Sequence, residues 1–296
     1  MRQLAFTRLR ELALEQGGEL HWVDLNAGFT FEGRRVPLVS QQGIFKPAVL
    51  DLPLSIRTAP PGDGPPPYQD EHDSGGSISY CYRGTDREHV DNRGLRRCMQ
   101  LHRPLIWFSG LSKGRYSAYF PAYIVADRPA ELRFQVAIDD ELFAHDSPLV
   151  GQFEGREPIR RYATRKCLQR LHQQEFRARV LDAYGERCCV CRFRHRELLD
   201  AAHIVPDGKP MGDPVVPNGL SMCKIHHAAF DQSFLGLRPD GVIEIRADLL
   251  REKDGPMLEH GLQRLHGVSA TLPIPQRLKP DRERLAWRYE AFQRAS

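Results

Sequence analysis

Apolar positions near the start of the chain recur at helical spacing. Leu4, Leu9, Leu12 and Leu14 fall within Arg2 to Gln16, and Gly17-Gly18 follows as a stop, which predicts one short opening helix. Beyond it the period shortens. Leu20 to Val36 breaks into short runs divided by Asn26-Ala27-Gly28 and Glu32-Gly33, Leu38 to Leu52 follows, and Pro60 to Pro67 is a proline- and glycine-rich loop. Ser77 to Tyr82, Leu105 to Phe108, Tyr116 to Ala126 and Leu132 to Val136 read as further strands, with a helix over Asn92 to His102. The first 150 residues therefore predict a mainly β, α+β domain. From Pro158 to Gly185 the helical period returns, with Leu168, Leu171, Phe176, Val180, Leu181 and Tyr184 on one face and most arginines on the other, so residues 151–185 are expected to form a basic helical linker. Residues 186–296 make the second domain: a hairpin-like stretch at Gly236 to Ile245, a loop-rich span from Arg251 to Pro280 and a helix from Asp281 to Gln293.

Composition narrows the class. A chain of 296 residues, 41% apolar and 27% charged, suits two globular domains. Its longest apolar stretches, Pro104 to Phe108 and Ala118 to Val125, fall far short of the roughly 20 residues of a membrane helix. With no signal-like segment at the start, the expectation is a cytoplasmic protein. The net charge of +4 is modest, but Arg156 to Arg196 holds twelve basic residues against four acidic ones, a stripe suited to phosphates. Of seven cysteines, Cys188, Cys189, Cys191 and Cys223 lie in one short region, which suits metal binding in a reducing compartment; Cys81, Cys98 and Cys167 read as ordinary thiols.

Cys188 and Cys191 form a C-x-x-C pair, and Cys223 and His226 a C-x-x-H pair. Each short spacing bends the chain so that both side chains can meet one ion, so Cys188, Cys191, Cys223 and His226 are the expected ligands of a structural Zn²⁺, with Cys189 left to the core. Between and after the pairs stand Ala201-Ala202-His203-Ile204, Asn218-Gly219-Leu220 and His227-Ala228-Ala229-Phe230-Asp231. These segments resemble the HNH (ββα-metal) nuclease family over about Arg187 to Leu237. Phosphodiester hydrolysis needs a base for the attacking water and a cation to offset charge on the phosphate and the leaving oxygen. His203 is the expected base. Asn218 orients the hairpin and is a further candidate ligand, while His227 and Asp231, one helical turn apart, are expected to hold a catalytic divalent cation such as Mg²⁺. His226 and His227 point about 100° apart on a helix, which separates the zinc ligand from the catalytic one. Ala202 stands where many relatives carry a metal ligand, and Asp200 is a candidate replacement.

The segment from Tyr68 to Tyr80, with its Asp70 and Glu71, resembles the SRA (SET- and RING-associated) domain over roughly Gly43 to Ala137. The resemblance implies a PUA-like β barrel that flips a modified cytosine, 5-methyl- or 5-hydroxymethylcytosine, between Tyr68 and Tyr80, with Glu71, or Asp70 beside it, accepting from the cytosine amino group. Cys81 takes the place of a frequent hydroxyl residue there. The combined expectation is a modification-dependent, restriction-type DNA endonuclease: an SRA-like reader at 1–150, the basic helix, and an HNH cutter at 186–296, acting on double-stranded DNA and suited to a homodimer. An HNH DNA nuclease with little preference for modified bases, its first domain serving only to dock, is the alternative.

Overall fold

The computed structural model describes residues 1–60, 78–138 and 156–295, with only the helix backbone over 156–169. Tyr68, Asp70 and Glu71 lie outside the described residues. Two compact units divide the chain, Met1–Leu171 and His172–Ser296. Among the described residues no helix is long and apolar enough to cross a membrane.

The first unit is built on one seven-stranded sheet. Helix α1 (Arg2–Glu15) leads to β1 (Leu20–His21), a short α2 (Trp22–Ala27), the separate β2–β3 hairpin (Phe29–Phe31, Arg34–Val36), β4 (Ile44–Phe45) and β5 (Ser55–Thr58). Then come β6 (Ile78–Cys81), α3 (Val90–Gln100), β7 (Leu105–Ser112), β8 (Arg115–Arg128) and β9 (Arg133–Ile138). The sheet runs β4-β5-β7-β8-β9-β6, with β1 pairing β8; β5 and β7 are parallel and the other neighbours antiparallel. Among the described residues no strand pairing joins β4 to β6, so what is observed is a curled α+β sheet, and closure into the expected barrel is not shown. Strand β7 is buried along its whole length. On it and β8, α1 sets Ala5, Phe6, Leu9 and Leu12 against Ile106, Phe108 and Tyr116. Two of the leucines expected on the buried face, Leu4 and Leu14, are exposed, because Ala5 and Phe6 occupy that stripe instead. Trp22–Ala27, expected as part of a β region, is helical.

Helix α4 (Arg156–Ala183) carries the chain into the second unit, and the boundary between units falls inside it. The half expected to act only as a linker is in fact core: Phe176, Val180 and Leu181 are buried with Leu199, Leu220 and Phe230. Two arginines of the basic stripe are spent here. Arg177 donates to the carbonyls of Arg196 and Leu199, and Arg196, its side chain 9% exposed, bridges Asp182 and Glu186 at 3.1 and 2.8 Å. Arg179, Arg192 and Arg194 remain exposed.

The centre of this unit is a hairpin, β10 (Leu199–His203) and β11 (Gly219–Cys223), followed at once by α5 (Lys224–Asp231). A second hairpin, β12 (Leu235–Leu237) and β13 (Ile243–Ile245), then α6 (Ala247–Arg251), α7 (Pro256–Gly261) and α8 (Arg282–Ala295) complete it. Asp281 starts α8 by accepting from the backbone N–H groups of Glu283 and Arg284. Near its end Phe292 lies so close over Gly236 that a Cβ there would sit 2.6 Å from the ring. Replacing this buried ring opens a cavity, and large-to-small changes of this kind cost about 3 to 5 kcal/mol. Phe292→Ala should therefore lower the urea midpoint of the second unit by an amount corresponding to about 3 kcal/mol, while an unchanged midpoint would show that α8 does not stabilise it.

Candidate active site

Strand β10 pairs β11 in the register Leu199↔Cys223, Asp200↔Met222, Ala201↔Ser221, Ala202↔Leu220 and His203↔Gly219. Cys223 is both the last residue of β11 and the N-cap of α5. A β-hairpin and a helix are thus joined with no loop between them.

Beneath this joint lie Cys188, Cys191, Cys223 and His226, whose ligand atoms all fall within 4.8 Å of one another. Ligands about 2.3 Å from a tetrahedral ion lie about 3.8 Å apart. The Cys191 and Cys223 sulfurs are 3.9 Å apart, and His226 Nδ1 is 3.6 Å from Cys188 Sγ and 3.1 Å from Cys223 Sγ. The donor set and its spacing fit a tetrahedral cation. His226 Nε2 donates to the Gly261 carbonyl at 2.8 Å, which turns Nδ1 toward the sulfurs; ligand histidines are commonly oriented this way. Cys188 is held far below the ordinary thiol range by sulfur hydrogen bonds with Cys191 and Cys223. Burial works against the charged form of His226, yet its bonds to Cys188 and Cys223 outweigh that and raise it to about 10. Electrostatically, this pocket attracts a cation. Cys189 stays outside the cluster, fully buried, its thiol pushed up by burial. Cys81 is half-buried and Cys98 buried in the first unit, and the Cys167 side chain lies outside the described residues.

His203 ends β10 with its ring stacked on Phe176 at 4.1 Å and 23°. Helix α4 can approach this closely only because residue 219 is glycine: a Cβ there would fall 2.3 Å from Val180 Cγ2 and 3.0 Å from Phe176 Cζ. Burial lowers the His203 pKa, and the neighbouring His227 lowers it further, while Asp207 and Asp231 act in the opposite sense. The imidazole is therefore neutral at neutral pH, the form a base requires. Its Nε2 is buried with no hydrogen-bond partner among the described residues.

Asn218 is wholly buried. Its Oδ1 accepts from the Val205 N–H at 2.9 Å, and its Nδ2 donates to the carbonyls of Val205 at 3.0 Å and Asp213 at 3.1 Å. The carboxamide clasps the long loop between the strands. Asn218 thus fastens the loop, with its side-chain oxygen turned to the Val205 N–H.

His227 projects from α5 between two carboxylates. Its Nδ1 lies 3.5 Å from Asp200 Oδ2 and its Nε2 3.3 Å from Asp231 Oδ2. Asp200 also takes both hydrogen bonds of Lys224 Nζ, at 2.9 and 2.8 Å. His227 first and Lys224 next hold the Asp200 carboxyl well below the usual range, against the opposing effect of burial. Asp231, about half exposed, is steadied from α8: Arg288 lies 4.5 Å over the Phe230 ring, donates to the Phe230 carbonyl at 2.8 Å and comes within 3.9 Å of Asp231 Oδ1. His203, His227, Asp200 and Asp231 are thus gathered around one hairpin-helix corner. Phe176, Lys224 and Arg288 join them, and Gly261 joins the cluster through His226, without having been singled out in sequence as site residues. Phe176 was visible there only as part of an apolar helix face, and nothing in the sequence points to the Gly261 carbonyl.

Tyr80, on β6, is buried at 6% exposure, its hydroxyl 3.5 Å from the Arg57 carbonyl. Of the residues expected to read a base, it alone is described.

Residues 188–238 match the HNH_2 family, described as HNH endonuclease. The chain therefore carries an HNH endonuclease domain, and it is a nuclease. No curated protein matches. Among solved structures, a chain entitled "Modification dependent TagI restriction endonuclease" is 18% identical, with 84% of each chain covered, at a TM-score of 0.30, too low for the overall likeness to carry an argument.

Because Cys223 links strand, helix and cluster, Cys223→Ser should give poorly folded, metal-depleted protein; soluble, metal-free and active protein in a metal-content and circular-dichroism measurement would show that the cluster is not a structural staple.

Proposed function

We propose that this protein is a DNA endonuclease that hydrolyses phosphodiester bonds with a single divalent cation such as Mg²⁺, stapled by a structural Zn²⁺, and that its first domain directs it to DNA carrying modified cytosine. The observation that carries the hydrolytic reading is a partly buried His203, stacked on Phe176, beside a His227–Asp231 pair on one hairpin-helix corner. In this mechanism His203 accepts a proton from water, the water oxygen attacks phosphorus, and the bond to the leaving oxygen breaks. His227 and Asp231 would hold the cation, which when bound offsets charge on the phosphate and the leaving oxygen. Asn218 keeps the loop after His203 closed, and exposed Arg179, Arg192 and Arg194 offer phosphate contacts. Thiolates serving as metal ligands suit a reducing compartment, hence the cytoplasm, and one hydrolytic centre per chain makes a homodimer the natural unit for cutting both strands.

Modification dependence rests on the Tyr68–Tyr80 segment with Asp70 and Glu71. In this reading Tyr68 stacks on a flipped base and Glu71, or Asp70, accepts from the cytosine amino group. One observation favours the second reading, a nuclease indifferent to modification. The ring of Tyr80, the expected second platform, is packed into the core.

His203→Ala should abolish cleavage while DNA binding and bound zinc stay near wild type. Because burial depresses the His203 pKa, its base form persists as pH falls, so the acid limb of kcat/KM should lie below about 6.5, the ordinary histidine value. An acid limb at or above that value would remove His203 as the base. Cleavage of matched duplexes carrying cytosine, 5-methylcytosine or 5-hydroxymethylcytosine decides between the two readings. Tyr68→Ala should cost the modified substrate about 1 to 3 kcal/mol of binding while slow cleavage of any duplex persists. An unchanged modified-to-unmodified ratio would establish the second reading.

A further inference from the structure

The two carboxylates beside His227 meet opposite nitrogens of its ring, Asp200 at Nδ1 and Asp231 at Nε2. A neutral imidazole that ligates a cation through one nitrogen carries its proton on the other, and that N–H is ordinarily held by a carboxylate, a carbonyl or a water. The two sides therefore have different work, and their surroundings differ accordingly. Asp200 is already engaged: Lys224 Nζ donates to both of its oxygens, and Arg177 Nε lies 3.7 Å from Oδ1. A cation approaching Asp200 would have to displace or face these two positive groups. Asp231 is the more exposed of the two, at 53% against 24%, and Arg288, whose short hydrogen bond goes to the Phe230 carbonyl, stands 3.9 Å away.

We propose that Asp200 is a positioning residue rather than a metal ligand: it takes the Nδ1–H of His227 and so presents Nε2, on the Asp231 side, as the nitrogen that binds the catalytic cation. Lys224 and Arg177 hold Asp200 for this task. The strand that carries the base thereby also sets the orientation of the ligand on the helix. The inference rests on the reading that His227 and Asp231 hold that cation.

The test is Mn²⁺ titration of the full, zinc-loaded chain, followed by electron paramagnetic resonance, together with ¹⁵N NMR of the histidine rings in the presence of Mg²⁺. Asp200→Asn keeps an oxygen that accepts from Nδ1–H, so Mn²⁺ affinity should stay within about threefold of wild type, whereas Asp200→Ala should lose about 10- to 100-fold, the usual consequence of removing an orienting partner, and Asp231→Asn at least about tenfold. The wild type and Asp200→Asn should both show His227 protonated at Nδ1. Asp200→Asn losing as much affinity as Asp231→Asn, or His227 protonated at Nε2, would overturn the proposal and make Asp200 a ligand. Wild-type protein that takes up no Mn²⁺ while its zinc is in place would overturn the His227–Asp231 reading and this inference with it. Mn²⁺ uptake that responds to Asp231→Asn but equally to Asp200→Asn would overturn this inference alone. Bound zinc and the melting temperature, measured on each variant, separate loss of the site from loss of the fold.

Discussion

Cys223 occupies three positions at once: the end of β11, the N-cap of α5 and one corner of the Cys₃His cluster. With no loop between strand and helix, the angle at which α5 leaves the hairpin depends on what holds this residue. That angle decides where His227 and Asp231 stand relative to Asp200 and His203, which belong to the partner strand. A ligand site on a helix and a base on a strand keep a fixed relation only if the joint between them is rigid, and misplacement by about 1 Å can cost 10²-fold in rate. A cation held by the Cys₃His cluster would add rigidity at this corner. The adjacent residues His226 and His227 divide the work, one turned down to the staple through its bond to Gly261, the other out between two carboxylates.

Two helices outside residues 188–238 complete the site. The second half of α4 supplies Phe176, on which His203 stacks, and Arg177, which reaches the carbonyls of Arg196 and Leu199 and approaches Asp200. Helix α8 supplies Arg288, whose guanidinium covers Phe230 and meets the carbonyl end of α5, where a cation is electrostatically welcome. The short motif provides the reacting groups, and the flanking helices provide the packing that holds their rotamers.

Much of this corner was legible in sequence because its chemistry requires short, fixed spacings. A C-x-x-C and a C-x-x-H pair can be recognised without a fold, and so can a histidine and an aspartate at i, i+4 on a helix. The longer strands of the first unit were legible as apolar runs between turn residues, and α1 by its 3.6-residue period. What escaped depends on distant parts of the chain. Residues 22–27 form a helical turn although the flanking pattern reads as β, since six residues are too few for a period to declare itself. The parallel pairing of β5 with β7 places strands together across an intervening β6 and α3, and local pattern carries no trace of such a partner. The buried end of α4 looked like a linker because its arginines dominate the composition, though two of the helix-to-hairpin arginine contacts are internal bonds rather than free charge. Asn218 was visible as a motif residue, but its clasp on Val205 and Asp213 depends on how the loop closes.

The two histidines of the site stand in different surroundings, and the functions proposed for them differ accordingly. His203 is laid against an aromatic ring, where the loss of water disfavours its charged form and keeps a lone pair ready for a proton. His227 is bracketed by carboxylates, an arrangement that suits a divalent ion beside its ring. A cation held beside His227 would repel a proton from His203 as well, adding to the effect of burial. Of the two groups proposed to hold the cation, His227 disfavours a proton on His203 and Asp231 favours one, so the cation itself would tip the balance toward the unprotonated base. In the proposed mechanism their nearness would matter for this reason, beyond their sharing one hairpin. Lengthening the joint at Cys223 would weaken both effects together, which explains physically why strand, helix and staple meet at a single residue.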